Sequence, residues 1–102
     1  LASDIKRDET LTVLDVRSDD EWAEGHIAGA QHLFAGRIAQ GADPGLDHEQ
    51  RIALICGTGY RSAFAASHLL QRGYHHLINV RGGMEAWEAA GLPTISPEPD
   101  DA

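Results

Sequence analysis

One cysteine in this chain lies where a thiol could act as a nucleophile. Cys56 follows a short apolar run and precedes a segment of helical composition, with two glycines in between. The glycines allow a tight curl in which successive backbone N–H groups point at the sulfur. These N–H groups and the helix start favour thiolate over thiol, so we expect a lowered pKa for Cys56 and a site that would also hold a persulfide anion. An isolated cysteine is more often a buried core residue, but this context favours a catalytic role.

The residues after the cysteine are candidates for substrate binding: Gly57, Thr58, Gly59, Tyr60 and Arg61. Arg61 has two interpretations. Its planar fork of donors suits a sulfur oxyanion, or it could support the loop. Thr58 and Tyr60 would lie at the mouth of the pocket and influence substrate choice. No acidic residue lies between Glu49 and Glu85, so this segment should tolerate anions.

Four other polar residues are expected to support the site rather than react: Asp15, Arg17, Glu21 and His26. A polar network among the first three could hold a strand end against the cysteine loop, defined here as residues 56–61. His26 could be a general base, but a helix-activated thiolate needs none, so we expect a histidine bonded to backbone in a turn. The histidines show no metal-ligand spacing with Cys56, and no metal site is predicted.

The pattern of apolar runs predicts an α/β fold. Three runs indicate strands covered on both faces, at residues 11–16, 52–56 and 77–80. Helices are predicted from a capping box at Ser18 and Glu21, over 61–72 ending at Gly73, and over 84–90; a short strand at 30–33 and a helix at 34–39 have weaker signals. The alternation predicts a mostly parallel sheet of four to five strands in a three-layer α/β/α arrangement. Ligands bind beyond the carboxyl ends of such strands, which brings Asp15, the cysteine loop and Arg81 together.

Bulk composition limits the function classes. A chain of 102 residues is one domain, and its formal net charge of −8 argues against nucleic acid and anionic membranes as partners. One cysteine cannot form an internal disulfide, which favours a reducing, cytoplasmic location. No apolar run approaches the length of a membrane span.

Several blocks together resemble the rhodanese (thiosulfate sulfurtransferase) family. They are Asp15-Val16-Arg17, Glu21-Trp22 followed by residues 25–30 (GHIAGA), Cys-x-x-x-x-Arg at 56–61, and residues 80–84 (VRGGM) with Trp87. The resemblance spans about residues 11–93 and implies a rhodanese-like domain over 1–93, followed by an acidic, proline-containing tail or linker over 94–102. Only ten residues precede the Asp-Val-Arg strand, so the first strand of the family could be missing. Ala28 stands where the family most often has proline.

The resemblance implies a sulfurtransferase that works through a Cys56 persulfide and needs neither cofactor nor metal. Its donor would be a small anion such as thiosulfate or a persulfide, and its acceptor cyanide or a thiol. One alternative is a non-catalytic or regulatory module, although inactive members typically lack the cysteine. Another is a sulfur-carrier domain fused to, or docking with, a larger persulfide-handling enzyme. A cysteine phosphatase is disfavoured, because phosphatase loops hold five residues between cysteine and arginine, and this loop holds four.

Overall fold

Strands and helices alternate along the chain, as the sequence predicts. The computed structural model describes residues 11–57, 60–80, 82–91 and 94. In order, the elements of this part are β1 (Leu11–Asp15), α1 (Asp19–Glu24), β2 (Gln31–His32), α2 (Ala35–Ala39), β3 (Arg51–Ile55), α3 (Tyr60–Gln71), β4 (His76–Asn79) and α4 (Gly83–Ala89). The strands form one parallel sheet in the order β2-β1-β3-β4, which confirms the predicted fold class.

The core lies on both faces of this sheet because successive side chains of a strand point to opposite sides. On one face, strand residues pack with helices α2 and α3 in a cluster that includes Leu14, Ile52, Leu54, Ile38, Ala65 and Leu69. On the other face, Val13 and Ile55 pack with Met84 and Trp87 of α4. The sheet is therefore the middle of three layers.

Strand β4 departs from the prediction that all three apolar runs are buried on both faces. His76, Ile78 and Asn79 are exposed, and Ile78 keeps 39% of its surface accessible. Within the described residues β4 pairs with β3 alone and forms the edge of the sheet. The prediction was wrong for this run, because apolar composition does not distinguish a central strand from an edge strand.

The register of the two central strands places the predicted site residues together at the carboxyl ends of the strands. Asp15, the last residue of β1, pairs with Ile55, the last residue of β3, so Asp15 and Cys56 lie at the carboxyl ends of two neighbouring strands. The capping box at the start of α1 is confirmed: Ser18 accepts a hydrogen bond from the Glu21 N–H, and Glu21 accepts one from the Ser18 N–H.

Three predictions fall wholly or largely outside the described residues. They concern the segment before β1, the place of Arg81 near the cysteine loop, and the tail at 94–102, of which Thr94 alone is described. In the described part of the chain, no helix has both the length and the apolar character needed to cross a membrane.

Candidate active site

Cys56 lies directly after β3 with its side chain fully buried. The Ser62 N–H, in the first turn of α3, donates a hydrogen bond to Cys56 Sγ at 3.3 Å. The sulfur therefore lies at the N-terminal end of a twelve-residue helix, where backbone N–H groups have no partner within the helix and favour negative charge. Thr58 and Gly59 lie outside the described residues, so the amide cradle predicted for this loop stays a prediction.

The Ser62 side chain connects the cysteine to β4. Its Oγ lies 3.6 Å from Cys56 Sγ, within reach of a thiol S–H donor, and its hydroxyl donates to Asn79 Oδ1. Ser62 is fully buried. The sequence reasoning assigned no role to either Ser62 or Asn79. The position of Ser62 in the first turn after the loop could have indicated it, but Asn79 has no local signal because α3 and β4 meet only in the folded protein.

The first turn of α4 binds the backbone of the cysteine loop through two hydrogen bonds. The Met84 N–H donates to Cys56 O at 2.6 Å, and the Glu85 N–H donates to Gly57 O at 2.9 Å. Gly83 precedes these donors with a φ of +50°, and a Cβ built on it would lie 1.9 Å from Cys56 O. Only glycine fits this position, because the two backbones approach too closely for any side chain.

Arg61 and Glu21 form a bidentate ion pair between α3 and α1. Arg61 Nη1 donates to Glu21 Oε1 at 2.6 Å, and Nη2 donates to Oε2 at 2.9 Å. The hydrogen bond from Arg61 is the main reason that the pKa of Glu21 falls from its ordinary 4.5 to about 2; bonds from Ser18 also lower it, while partial burial acts against them. A Cβ on Gly57 would lie 3.2 Å from Arg61 Nη2, so the pair packs over the loop. This arrangement favours the loop-supporting interpretation of Arg61 over substrate binding.

Asp15 and Arg17 form a second, buried ion pair. Arg17 Nη2 donates to Asp15 Oδ2 at 2.8 Å and to Gly25 O at 2.7 Å, which ties the end of β1 to the end of α1. His26 Nδ1 lies 2.9 Å from Trp22 O, and its ring stacks on Trp22 with a centroid distance of 3.4 Å. The four supporting residues thus take part in two ion pairs, Asp15–Arg17 and Glu21–Arg61, and in the stacking of His26 on Trp22 of α1.

The surface beside the loop is open and largely apolar. A cavity of about 450 Å³ is lined by Tyr60, Arg61, Ala63 and Phe64. Tyr60 is 83% exposed and Phe64 49% exposed. Among the described residues, no cluster of three or more His, Cys, Asp or Glu side chains could hold a metal ion.

Comparisons with known proteins extend these observations. The family model of the rhodanese-like domain matches residues 1–90. YtwF of Bacillus subtilis is 39% identical over 93 residues, which are 91% of this chain and 88% of that protein. The thiosulfate sulfurtransferase GlpE of Coxiella burnetii is 33% identical over 84 residues, 82% of this chain and 76% of GlpE. Among solved structures, a rhodanese-related protein from Thermoplasma volcanium superimposes with a TM-score of 0.81 at 33% identity, covering 93% of this chain and 90% of the other.

Proposed function

Because this chain belongs to the family of rhodanese-like domains, we propose that it is a sulfurtransferase that moves a sulfane sulfur from a donor such as thiosulfate to a thiophilic acceptor through a persulfide on Cys56. The observation that carries the proposal is the hydrogen bond from the Ser62 N–H to Cys56 Sγ at the start of α3. This donor and the helix end stabilise negative charge on sulfur, both on the attacking thiolate and on the persulfide anion. GlpE, a relative of this chain, is named a thiosulfate sulfurtransferase.

In the first step, the Cys56 thiolate attacks the outer sulfur of thiosulfate. A bond forms between Sγ and that sulfur, the bond from the outer sulfur to the sulfonate sulfur breaks, and its electron pair leaves with sulfite. The products are the Cys56 persulfide anion and sulfite, which together carry the same charge as the reactants. No oxidant or reductant is required.

In the second step, an acceptor nucleophile attacks the outer sulfur of the persulfide. The bond between the two sulfurs breaks, and Cys56 leaves as a thiolate that the Ser62 N–H again stabilises. Because Cys56 itself is fully buried, the outer sulfur, about 2 Å farther along the side chain, is the more accessible point of attack. The two half-reactions share one covalent intermediate, so ping-pong kinetics are expected.

The proposed supporting residues keep the loop in position for both steps. The Arg61–Glu21 pair packs over Gly57, and the first turn of α4 binds the carbonyls of Cys56 and Gly57. Gly57, Thr58, Gly59 and Tyr60 are proposed to contact the donor. A loop that is fixed in this way does not have to be ordered at the moment of reaction.

The decisive experiment is intact-mass measurement of the protein. Incubation with thiosulfate should add the mass of one sulfur atom, and cyanide should remove it with formation of thiocyanate. Cys56→Ser should neither gain the mass nor turn over. A Cys56→Ser protein that consumed thiosulfate at the wild-type rate would refute the role of Cys56. An aryl phosphate serves as the substrate control and should give negligible turnover.

A further inference from the structure

The exposed face of α3 is unusual because it carries no charge. Six of its twelve residues are exposed: Tyr60, Ala63, Phe64, Ser67, Leu70 and Gln71. An exposed helix face normally carries charged side chains, and charged residues make up 24% of this protein. The apolar residues nearest the loop, Tyr60, Ala63 and Phe64, are called the mouth patch here. Exposed aromatic side chains that lie together commonly mark an interaction surface.

The mouth patch lies at the same end of α3 as the proposed active site. Together with Arg61 it lines the cavity of about 450 Å³. Ser62, which donates its N–H to Cys56 Sγ, lies between Arg61 and Ala63 in the same helical turn. A molecule seated on the patch would therefore lie at the same end of α3 as the sulfur to be transferred.

The openness of the patch favours a protein occupant over a small molecule. Small-molecule sites enclose most of the ligand surface, whereas Tyr60 and Phe64 are 83% and 49% exposed. Large, accessible aromatic side chains instead resemble the anchors of protein interfaces. A second copy of this chain is disfavoured, since each copy has a net charge of −8 and the two would repel each other.

The charge around the patch indicates what kind of protein would bind. Helix α1 is joined through Glu21 to Arg61, which lines the cavity together with the patch, and the first turn of α1 is acidic. Asp20 and Glu24 on this helix are exposed. A partner with lysine or arginine residues around an apolar centre would match both features, and opposite charges would accelerate its association.

We propose that the mouth patch docks a protein that presents a reduced cysteine beside an apolar side chain, within a basic surface, and that this protein is the sulfur acceptor. The proposal rests on the proposed function, because it assigns the acceptor of that same site. The partner's thiolate attacks the outer sulfur of the Cys56 persulfide, and that sulfur becomes the outer sulfur of a persulfide anion on the partner. The new S–S bond forms on the partner, the old one breaks, and Cys56 keeps the electron pair as a thiolate.

The test uses a synthetic peptide with one cysteine next to leucine and flanked by lysines. A second peptide replaces leucine with alanine, and a third replaces the lysines with glutamates. Persulfide-loaded protein is mixed with each peptide or with mercaptoethanol, and the second-order rate constant of sulfur transfer is measured. Phe64→Ala should slow transfer to the lysine–leucine peptide about tenfold, typical of losing an interface anchor. It should change transfer to mercaptoethanol less than twofold.

Leu70→Ala is the matched control. Leu70 is 56% exposed on the same helix face, about 9 Å farther along the helix axis than Phe64, and its removal should change neither rate. Equal losses in the two variants, equal slowing of both acceptors by Phe64→Ala, or equal rates with the lysine and glutamate peptides would overturn the proposal. So would a wild-type dimer that Phe64→Ala dissociates in sedimentation, because a second copy would then cover the patch.

A binding measurement separates failure of this inference from failure of the proposed function. A fluorescent lysine–leucine peptide with serine in place of cysteine cannot react, yet it should bind wild type about tenfold more tightly than Phe64→Ala. If the protein does not load with sulfur but this difference persists, the sulfurtransferase proposal fails and the docking surface stands. If loading succeeds but the two proteins bind the peptide equally, the docking surface is refuted.

Discussion

Replacing Gly83 with alanine tests how strictly the start of α4 holds the cysteine loop. The added Cβ would lie 1.9 Å from Cys56 O, and real Cβ contacts are essentially never closer than 3.0 Å, so the two groups must separate by at least 1.1 Å. The atom in the way belongs to the backbone, so no side-chain rotation relieves the overlap. The hydrogen bond from Met84 N to Cys56 O would stretch in the same movement.

The expected loss of stability follows from three contributions. A non-glycine residue at positive φ costs about 1–2 kcal/mol, forced overlap about 1–3 kcal/mol, and the weakened hydrogen bond about 0.5–1.5 kcal/mol. We expect Gly83→Ala to lower the free energy of unfolding by roughly 2.5–6.5 kcal/mol, as measured by urea unfolding with tryptophan fluorescence. The displaced loop should lower kcat/KM for thiosulfate by about a hundredfold, since misplacement of about 1 Å has that order of effect.

Gly45→Ala is the matched control for backbone strain. Gly45 also has a positive φ, +71°, but a Cβ there meets nothing within 4 Å. Its substitution should cost only the conformational contribution, about 1–2 kcal/mol, and leave the transfer rate unchanged. If the two variants unfold within about 1 kcal/mol of each other, or if Gly83→Ala keeps full activity, close contact between Gly83 and Cys56 does not organise the site.

Three further predictions concern the side chains around the sulfur. Glu21→Gln should cost about 1 kcal/mol or less, because both partners of the pair are more than a third exposed. The pKa of Glu21 is lowered from 4.5 to about 2 in the folded protein. The stabilisation by the Glu21–Arg61 pair should therefore be complete above about pH 5 and disappear as pH falls towards 2. If urea unfolding finds the same stability difference between wild type and Glu21→Gln across that range, this prediction is contradicted. Arg61→Ala should lower kcat for thiosulfate and for glutathione persulfide alike in steady-state assays, and a rise in KM confined to thiosulfate would instead assign Arg61 to donor binding. Ser62→Ala removes the hydroxyl that accepts from the Cys56 thiol and donates to Asn79, but it keeps the N–H donor to the sulfur. Loss of an acceptor destabilises the thiol relative to the thiolate, so the pH midpoint for alkylation of Cys56 by iodoacetamide should shift downward by less than about one unit; an unchanged midpoint would show that the hydroxyl does not act on the sulfur.

The sequence alone predicted most of the local structure. Apolar runs located the long strands to within a residue or two, and Ser18 with Glu21 indicated the start of α1. Gly73, with a φ of +99°, follows α3 where a helix-ending glycine was predicted. These signals are local, since they reflect the backbone preferences of a residue or the side-chain period of one element. They were sufficient to place Cys56 between a buried strand and a helix.

Tertiary structure decided which groups surround the sulfur. The partners Glu21 and Arg61 are 40 residues apart, and Ser62 and Asn79 are 17 apart, so no local pattern pairs them. Gly83 belonged to a recognised motif, but its contact with Cys56 O exists only because α4 packs below the loop. The edge position of β4 likewise depends on strand order. Local sequence encodes the conformation of each element, whereas contacts between elements depend on how their buried faces pack. The ion pair between Arg61 of α3 and Glu21 of α1 is such a contact, and it forms only when the two helices are brought together.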